Sequence, residues 1–395
     1  MKKIMFIVLD GIGDRPIKQF GGKTPLEAAQ TPNLDRLARE GLCGSVRILD
    51  RAPESDEGHL SLFGYNLKKF YPGRGPIEAV GVGLTLQRGD VAFRANMATV
   101  DANMVVVDRR AGRIETTEPF ARKANGMEVE GVKFLLKAGN AHRMALVMRG
   151  EGLSARISNT DPHEEGKRVL ASEPLDDSPG AALTARALNE FLEETHRMFD
   201  AMPENDERKK RRLPPANQIL TRGAGYYRPI PAFRHKYGLK ACCVTGGGLY
   251  LGLGKVMGMS HLNAPGATGD AKTDIQAKLS TAMKALKQYD FAFVHIKGAD
   301  LFGHDGDPVG KRKFIEKVDR SVHVLHNFDG IVVLTADHCT PCEVNGHSAD
   351  PVPIVISHGR ERDSVGKFTE SACPLGKLGK MEAKDVMPLV LKTAA

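Results

Sequence analysis

Carboxylates and imidazoles gather around the ends of the short apolar runs of this chain. Asp10 directly follows one such run, and the pair Asp337–His338 closely follows another. The complete set is Asp10, Asp300, His304, Asp337, His338 and His347. If the runs are parallel strands of one sheet, their carboxyl ends meet at one edge, where ligands bind. Carboxylate and imidazole donors suit divalent ions such as manganese or zinc, so the pattern predicts a metal site at that edge.

Each member of this set has a simpler explanation when it is taken alone. A single aspartate after a strand, such as Asp10, is commonly a helix N-cap. Asp300 and His304 have the i, i+4 spacing of one helical face, which also fits a capping aspartate beside an unrelated histidine. The coincidence of four such strand ends favours the metal site.

The best candidate for a nucleophile is Ser55, in the segment Glu54-Ser-Asp-Glu-Gly-His-Leu60. This segment leads from a glycine- and proline-rich stretch into a helical one, so Ser55 is expected at the first turn of a helix. Exposed amides and the helix dipole favour an anion there. The alternative is a plain helix cap. Metal ions that lower the pKa of the hydroxyl favour the nucleophile.

The cysteines predict no disulfide scaffold. Six cysteines are sparse in 395 residues, whereas small disulfide-rich domains are dense in them. Cys339 and Cys342 have the spacing of a zinc knuckle or a redox pair, but no second pair completes a four-cysteine site. We therefore expect ordinary reduced thiols.

The net charge of +8 fits an anionic partner, either a nucleic acid or a small phosphorylated molecule. The densest basic run, Arg208–Arg212, has no interleaved aromatic residue on which bases could stack. A nucleic-acid-binding protein would also leave the predicted metal site unexplained. We expect a small molecule rather than a nucleic acid.

The start of the chain resembles a signal peptide only briefly. Two lysines precede the apolar run Ile4–Leu9, but that run is six residues long and no small-residue cleavage site follows. No apolar stretch approaches the length of a membrane helix. We expect a buried first strand, a cytoplasmic location and no membrane partner.

The pattern of apolar runs predicts an α/β fold. Continuous β-branched runs separated by helical stretches such as Thr273–Lys287 indicate a mostly parallel sheet with helices on both faces. From about Gly89 to Pro214 the segments alternate more, as in Val91–Val100, which predicts a smaller inserted α+β domain. The expected division is a split metal-binding core, residues 1–88 and 215–395, around an insertion at residues 89–214.

Taken together, these residues resemble cofactor-independent phosphoglycerate mutase of the alkaline phosphatase superfamily. The shared motifs are Asp10, Ser55-Asp-Glu-Gly-His-Leu, Asp300-x-x-x-His304, Thr335-Ala-Asp-His338 and His347-x-x-x-Pro-Val-Pro. Further stretches resemble the archaeal branch, namely Tyr71-Pro-Gly-Arg-Gly-Pro, Asp161-Pro-His163, Pro215-Ala-Asn, Arg222-Gly-Ala-Gly and His295-Ile-Lys297. The resemblance runs from the first strand to the last and is weakest in the central segment.

The resemblance implies specific roles. Ser55 would accept the phosphoryl group during interconversion of 2- and 3-phosphoglycerate, without 2,3-bisphosphoglycerate. One metal ion would be held by Asp10, Ser55, Asp337 and His338, and the other by Asp300, His304 and His347. Manganese is favoured, with zinc, cobalt and magnesium as alternatives. The inserted domain would close over the substrate, with Arg149, Asp161, His163, Arg222, Arg94 and Lys297 as substrate-binding candidates.

Two alternatives concern the reaction and one segment of the core. A phosphomonoesterase or phosphonate hydrolase on the same core would use water in the second step, but hydrolysis needs no large covering domain. Thr245-Gly-Gly-Gly-Leu-Tyr-Leu-Gly follows a strand, yet its glycines do not match the dinucleotide-binding pattern. We expect a tight strand-to-helix turn there. The number of subunits stays open, with a homo-oligomer included.

Overall fold

The chain forms two compact units in the structure, a computed structural model that describes residues 2–359 and 361–395. One unit combines the segment up to Tyr71 with Ile230–Ala395, and the other is Pro72–Pro229. The second unit is longer at both ends than the expected insertion, residues 89–214. A helix that begins at Arg74 packs against Ala92, and a strand that ends at Tyr226 pairs with the same region.

The helices and strands follow in chain order. The segment before residue 72 contains β1 (Ile4–Leu9), α1 (Pro25–Ala28), α2 (Pro32–Arg39), β2 (Gly41–Arg47), α3 (Ser55–Leu62) and α4 (Leu67–Phe70). The second unit contains α5 (Arg74–Gly81), β3 (Val91–Val100), β4 (Val106–Asp108), α6 (Glu118–Ala124), β5 (Glu128–Val129), β6 (Val132–Ala138), β7 (Arg143–Arg149), α7 (Pro179–Asp200), α8 (Pro203–Lys210) and β8 (Gln218–Tyr226). The remainder contains α9 (Phe233–Tyr237), β9 (Ala241–Val244), α10 (Gly248–Val256), β10 (Ser260–His261), α11 (Ile275–Ala285), β11 (Phe291–Ile296), α12 (Gly298–His304), α13 (Pro308–Val322), β12 (Ile331–Thr335), β13 (Val352–Ser357), β14 (Gly379–Glu382) and α14 (Ala383–Ala394). Short 3-10 turns occupy Lys18–Phe20, His323–Asn327 and Cys373–Leu375. Among the described residues, we find no helix with both the length and the apolar character that a membrane crossing requires.

The first unit is built on an eight-stranded sheet in the order β10-β9-β11-β1-β12-β13-β2-β14. Strands β9, β10, β11, β1 and β12 run parallel, whereas β13 is antiparallel to both of its neighbours. Every residue of β1, β11, β12 and β13 is buried, as expected for strands covered on both faces. The predicted α/β fold with a mostly parallel sheet is confirmed. Because β13 runs in the opposite direction, its amino end lies at the carboxyl edge of β12.

The second unit is an antiparallel sheet covered by helices. Its order is β4-β3-β7-β6-β5, and β8 also pairs with β3. Helix α7 buries an apolar face against this sheet, where the rings of Phe134 and Phe191 stack with centroids 4.0 Å apart. The alternating residue types of β3 do not correspond to alternating exposure, because all ten of its residues are buried.

Candidate metal centre

Four elements of the first unit bring the predicted ligands to one edge of its sheet. Asp10 follows the last residue of β1, and Asp337 and His338 follow β12 in the neighbouring position. Asp300 and His304 lie one helical turn apart on α12, which starts two residues after β11 ends. Asp10 caps no helix, since the chain turns away after it. The edge therefore collects side chains from three adjacent parallel strands.

His347 reaches the same edge because it precedes the antiparallel strand β13. Its Nε2 atom lies 3.2 Å from Nε2 of His304, and both nitrogens lie 3.4 Å from Oδ1 of Asp300. The side chain of Asp300 is only 2% exposed. These three residues, predicted as one ligand set, are thus brought together around one point.

The other predicted ligand set also converges. Nε2 of His338 lies 3.5 Å from Oδ1 of Asp10 and 3.3 Å from Oδ2 of Asp337, and all three side chains are fully buried. The donor atoms of these three residues lie within 4.8 Å of one another. A second group with the same spread combines Asp300, His338 and His347. His338 therefore stands between the two groups, although the family resemblance implied a role in one of them only.

The imidazoles of His304 and His347 share an orientation that leaves Nε2 available to a metal ion. Nδ1 of His347 lies 2.8 Å from the carbonyl oxygen of Pro53, and Nδ1 of His304 lies 3.1 Å from that of Asn345. A carbonyl oxygen can only accept, so Nδ1 carries a proton in both rings and Nε2 is the nitrogen left to bind a metal ion. This is the arrangement by which metal-ligating histidines are held in proteins.

Ser55 is the first residue of α3, as predicted, but it does not cap the helix. Glu54 is the N-cap, and its side chain and that of Glu57 form a reciprocal capping box. The hydroxyl of Ser55 is thereby left for other contacts, and its Oγ lies 3.2 Å from Nε2 of His338. Ser55 is 3% exposed. The geometry thus places a serine hydroxyl at a helix amino terminus beside the Asp10–Asp337–His338 group.

Two carboxylate oxygens in this centre have no hydrogen-bond partner among the described residues. Oδ1 of Asp10 and Oδ2 of Asp337 are buried without one. An unpaired buried carboxylate oxygen is costly, and a bound cation is the usual compensation. Together with the oriented imidazoles, these oxygens fit divalent metal ions.

Lys297 brings a positive charge to the centre. Its Nζ lies 2.7 Å from Oδ2 of Asp300 and 3.3 Å from Oδ2 of Asp10. Burial alone would raise the pKa of the Asp10 carboxyl, but the Lys297 ammonium holds that pKa below its usual range. Burial alone would likewise lower the pKa of Lys297, yet the two carboxylates raise it well above its usual value. Both acids are therefore ionised and available as ligands.

Three residues of the centre were not singled out as site residues from the sequence. The ring of Tyr250 stacks on His295 with centroids 3.3 Å apart, and its hydroxyl donates to Asp10. Nε2 of His295 lies 2.9 Å from Oδ2 of Asp10. Nδ1 of His59 lies 2.6 Å from the carbonyl oxygen of Ser55. The sequence feature that could have indicated them is a polar residue inside an otherwise apolar element. This feature is present for His295 in β11 and for Tyr250 in α10.

The second unit gathers basic residues of its own. The Asp161 carboxylate lies 2.7 Å from Nη2 of Arg109 and 4.0 Å from Nε of Arg222. Nη1 of Arg222 lies 3.2 Å from Nδ1 of His163. Arg94 is the partner of Arg222 across β3 and β8. Its pKa is lowered to about 9 because it is buried, despite Glu78. Asp161, His163, Arg222 and Arg94, four of the expected substrate-binding residues, thus form one cluster with Arg109.

Arg149 has different neighbours. Its guanidinium makes two hydrogen bonds to Asp90, at 2.9 and 2.7 Å, and one to the carbonyl oxygen of Thr85. No described hydrogen bond or ion pair joins it to the cluster around Asp161. The positive charge of Arg149 is therefore paired with the carboxylate of Asp90 in the same unit.

Comparisons with known proteins agree over nearly the whole chain. The model of the metalloenzyme superfamily matches residues 2–393. A 2,3-bisphosphoglycerate-independent phosphoglycerate mutase from Methanocaldococcus jannaschii is 46% identical over 98% of this chain and 96% of its own length. One from Archaeoglobus fulgidus is 44% identical, over 98% and 97%. A solved cofactor-independent phosphoglycerate mutase from Thermoplasma acidophilum has a TM-score of 0.71 and 36% identity, covering 100% of both chains. A solved protein from Pyrococcus horikoshii has a TM-score of 0.84 and 35% identity, covering 100% of this chain and 97% of its own.

Proposed function

This chain belongs to the 2,3-bisphosphoglycerate-independent phosphoglycerate mutases of the metalloenzyme superfamily, and we propose that it interconverts 2-phosphoglycerate and 3-phosphoglycerate through a phosphorylated Ser55. The enzyme is an isomerase, and it needs no bisphosphoglycerate because its own side chain holds the phosphoryl group in transit. The reaction belongs to glycolysis and gluconeogenesis.

The observation that carries this proposal is the position of Ser55. Its hydroxyl stands at the start of α3, 3.2 Å from Nε2 of His338, with Asp10 and Asp337 around the same imidazole. A helix amino terminus favours the negative charge that a phosphoserine would carry. The side chains of Glu54 and Glu57 accept from each other's backbone N–H groups at the start of α3, so Ser55 is not needed as a helix cap.

Membership of the metalloenzyme superfamily makes the activity dependent on divalent metal. We assign one ion to Asp10, Ser55, Asp337 and His338, and the other to Asp300, His304 and His347. When bound, such ions neutralise the phosphoryl oxygens and lower the pKa of a nearby hydroxyl. Manganese suits this mixture of carboxylate and imidazole donors, and zinc, cobalt and magnesium are the alternatives.

In the first step Ser55 Oγ attacks the phosphorus of bound phosphoglycerate. The bond between phosphorus and the glycerate oxygen breaks as the new bond to Oγ forms, and the serine proton ends on the glycerate hydroxyl. In the second step the other hydroxyl of glycerate attacks the phosphoserine, and its proton returns to Oγ. Both steps need in-line positioning and charge neutralisation more than covalent chemistry from the protein.

Lys297 contributes in two ways to this scheme. Its ammonium offsets the repulsion between the carboxylates of Asp10 and Asp300, since it bonds to both. Its side chain remains 17% exposed, so its ammonium can also meet a phosphoryl oxygen. We therefore keep Lys297 among the substrate-binding residues.

The cluster of the second unit is the candidate for the remaining anionic groups of the substrate. Arg222 and Arg94 are adjacent across two strands, and Asp161 fixes Arg109 and Arg222 in place. Arginine matches carboxylate and phosphate oxygens in a two-pronged geometry. We assign Arg222, Arg94 and His163 to substrate contact and Asp161 to positioning. Arg149 is assigned to the Asp90 ion pair.

The six cysteines are free and buried, which is the state expected in a reducing compartment. Phosphoglycerates are metabolised in such a compartment, so we propose a cytoplasmic location.

The direct test is a mutase assay without bisphosphoglycerate. Purified protein with manganese is incubated with 3-phosphoglycerate, and the formation of 2-phosphoglycerate is followed by ion-exchange chromatography of acid-quenched samples. We expect turnover that chelator abolishes and added manganese restores. Turnover that appears only after bisphosphoglycerate is added, or that persists at full rate in demonstrably metal-free protein, would contradict the proposal.

A further inference from the structure

The turn between β9 and α10 encloses a small cavity in the first unit. Its volume is about 230 Å³, and it is lined by Thr245, Gly246–Gly248, Leu251, His261, Asn263, Ala264 and Ala267. None of the residues proposed to hold metal or to bind substrate is among them. This is the glycine-rich segment whose pattern does not match a dinucleotide-binding loop.

The amino end of α10 faces this cavity without a cap. The N-cap residue is Gly247, no side chain among the described residues accepts from the first-turn amides, and no acidic residue occupies the first turn. Those amides have no partner within the helix. The nine-residue helix therefore presents its positive end to the cavity.

A second observation points independently to a ligand. Thr245 lines the cavity and is 4% exposed, and its hydroxyl oxygen has no hydrogen-bond partner among the described residues. A buried hydroxyl without a partner is unfavourable unless something else bonds to it. The side chains of Asn263 and His261 border the same space. The lining thus offers hydroxyl, amide and imidazole groups but no carboxylate.

The glycines give the turn its shape. A Cβ atom added to Gly246 would lie 2.1 Å from the carbonyl oxygen of Thr268, so the backbone must pass close to that residue. A Cβ atom added to Gly248 would meet nothing within 4 Å, which marks the open side of the turn. Nζ of Lys278 lies 3.1 Å from the same Thr268 oxygen and adds positive charge behind the turn.

We propose that this cavity is a binding site for a phosphate-sized oxyanion. The ligand would accept from the first-turn amides of α10 and from the Thr245 hydroxyl. Helix α10 also carries Tyr250, whose hydroxyl donates to Asp10, so a bound anion would steady the helix that positions a proposed metal ligand. The oxyanion can be free inorganic phosphate or the phosphoryl group of a phosphoglycerate.

The test uses the full chain in metal-free form, where the proposed catalytic centre cannot turn over. The probe is inorganic phosphate, titrated against the thermal unfolding midpoint at constant ionic strength. Phosphate should raise the midpoint, since a ligand that binds only the folded state stabilises it. In Gly248→Asp, which adds a carboxylate on the open side, the phosphate concentration for half the effect should rise at least tenfold. In Thr245→Val it should rise by a smaller factor.

Gly366→Asp is the matched control, because Gly366 lies in an exposed loop of the same unit and a Cβ atom there also meets nothing within 4 Å. Its response should equal that of the unaltered chain. An equal response of Gly248→Asp and Gly366→Asp, or no midpoint shift with phosphate, would overturn the site.

A second titration, with 3-phosphoglycerate, distinguishes free phosphate from the phosphoryl group of a phosphoglycerate as the ligand. If 3-phosphoglycerate raises the midpoint and Gly248→Asp weakens that effect too, the site also takes the phosphoryl group of the substrate. If only the phosphate response depends on Gly248, the ligand is free phosphate. Either result supports the site. Because the protein is metal-free throughout, the outcome does not depend on whether the chain is an active mutase.

Discussion

The hydroxyl of Thr340 donates a 2.9 Å hydrogen bond to Oδ1 of Asp300. The Thr340 hydroxyl oxygen also lies 3.1 Å from Nδ1 of His338. It therefore accepts a hydrogen bond from the imidazole N–H while it donates one to Asp300. One buried hydroxyl thus fixes a carboxylate of one ligand group and the tautomer of the imidazole between the two groups. The sequence motif Thr335-Ala-Asp-His338 ends two residues before Thr340 and does not include it.

Thr340→Val should weaken metal binding without unfolding the protein. The substitution keeps the shape of the side chain but removes both hydrogen bonds, and loss of such supporting contacts costs about 10–100-fold in metal affinity. The affinity is measured by competition with a chelator of known strength. Thr393→Val is the control, because the only side-chain hydrogen bond of Thr393 among the described residues goes to a carbonyl oxygen of its own helix α14. Equal manganese affinity in the two variants would refute the role of Thr340.

Ser55→Ala should abolish turnover while leaving the fold intact. Removal of a covalent nucleophile costs several orders of magnitude in rate, and no phosphorylated protein should be detected by mass spectrometry after rapid quenching. Ser61→Ala changes another buried serine of α3 and should retain both turnover and phosphorylation. If Ser55→Ala turns over at a rate near that of Ser61→Ala, Ser55 is not the phosphoryl acceptor.

Arg222→Gln should raise KM for phosphoglycerate about tenfold or more. A charge-assisted hydrogen bond contributes about 1.5–3 kcal/mol, and the substitution removes the charge. The fold should persist, since Asp161 keeps its 2.7 Å ion pair with Arg109. Arg186→Gln is the control, because Arg186 forms an exposed ion pair with Glu130. An unchanged KM in Arg222→Gln would remove this residue from the substrate site.

Much of the proposed metal centre was predictable because it depends on where the strands end. A buried β-branched run is recognisable in sequence, and the residue after it must lie at the edge of a parallel sheet. The family resemblance drawn from the motifs is confirmed by the relatives. The contribution of His347 also depended on β13 being antiparallel, which no local pattern indicates.

Other features depend on tertiary contacts that a sequence does not display. Strand β2 contains Gly44, whose added Cβ would lie 2.7 Å from Leu378, so a residue unfavourable for strands is required by close packing. In β3 the polar residues Arg94 and Asn96 are 8% and 5% exposed, so their alternation with apolar residues does not mark a solvent-facing side. Tyr250 meets Asp10 from a different helix, a contact that spacing along the chain cannot predict.

Stability should increase with pH in a window set by Lys278. This fully buried ammonium donates to the carbonyl oxygens of Thr268 and His295. Burial lowers the pKa of Lys278 from 10.5 to about 8. The unfolded chain therefore binds its proton more tightly, and between pH 8 and 10.5 unfolding takes up a proton that the folded form has already lost.

Lys278→Met should remove that increase, which amounts to at most about 3 kcal/mol for a shift of this size. The free energy of unfolding is measured with urea at pH values on both sides of the window. Lys284→Met, an exposed position on the same helix α11, should keep the slope of the unaltered chain. Parallel pH profiles for the two variants would show that Lys278 does not titrate in this window.

Retention of glycerate distinguishes a mutase from a phosphatase on the same core. If glycerate stays bound while Ser55 carries the phosphoryl group, the second step is effectively intramolecular. Effective molarities of roughly 10⁵ M and above then favour the glycerate hydroxyl over water. Carbon-labelled 3-phosphoglycerate incubated with excess unlabelled glycerate should therefore give 2-phosphoglycerate that keeps its label, with little free phosphate.

Arg222→Gln should keep less of the label, because a weakened hold on the carboxylate lets glycerate leave before the second step. Arg186→Gln should keep as much as the unaltered chain. Complete loss of label in the unaltered enzyme would show that glycerate departs between the two steps, and phosphate as its main product would show that the reaction is hydrolysis.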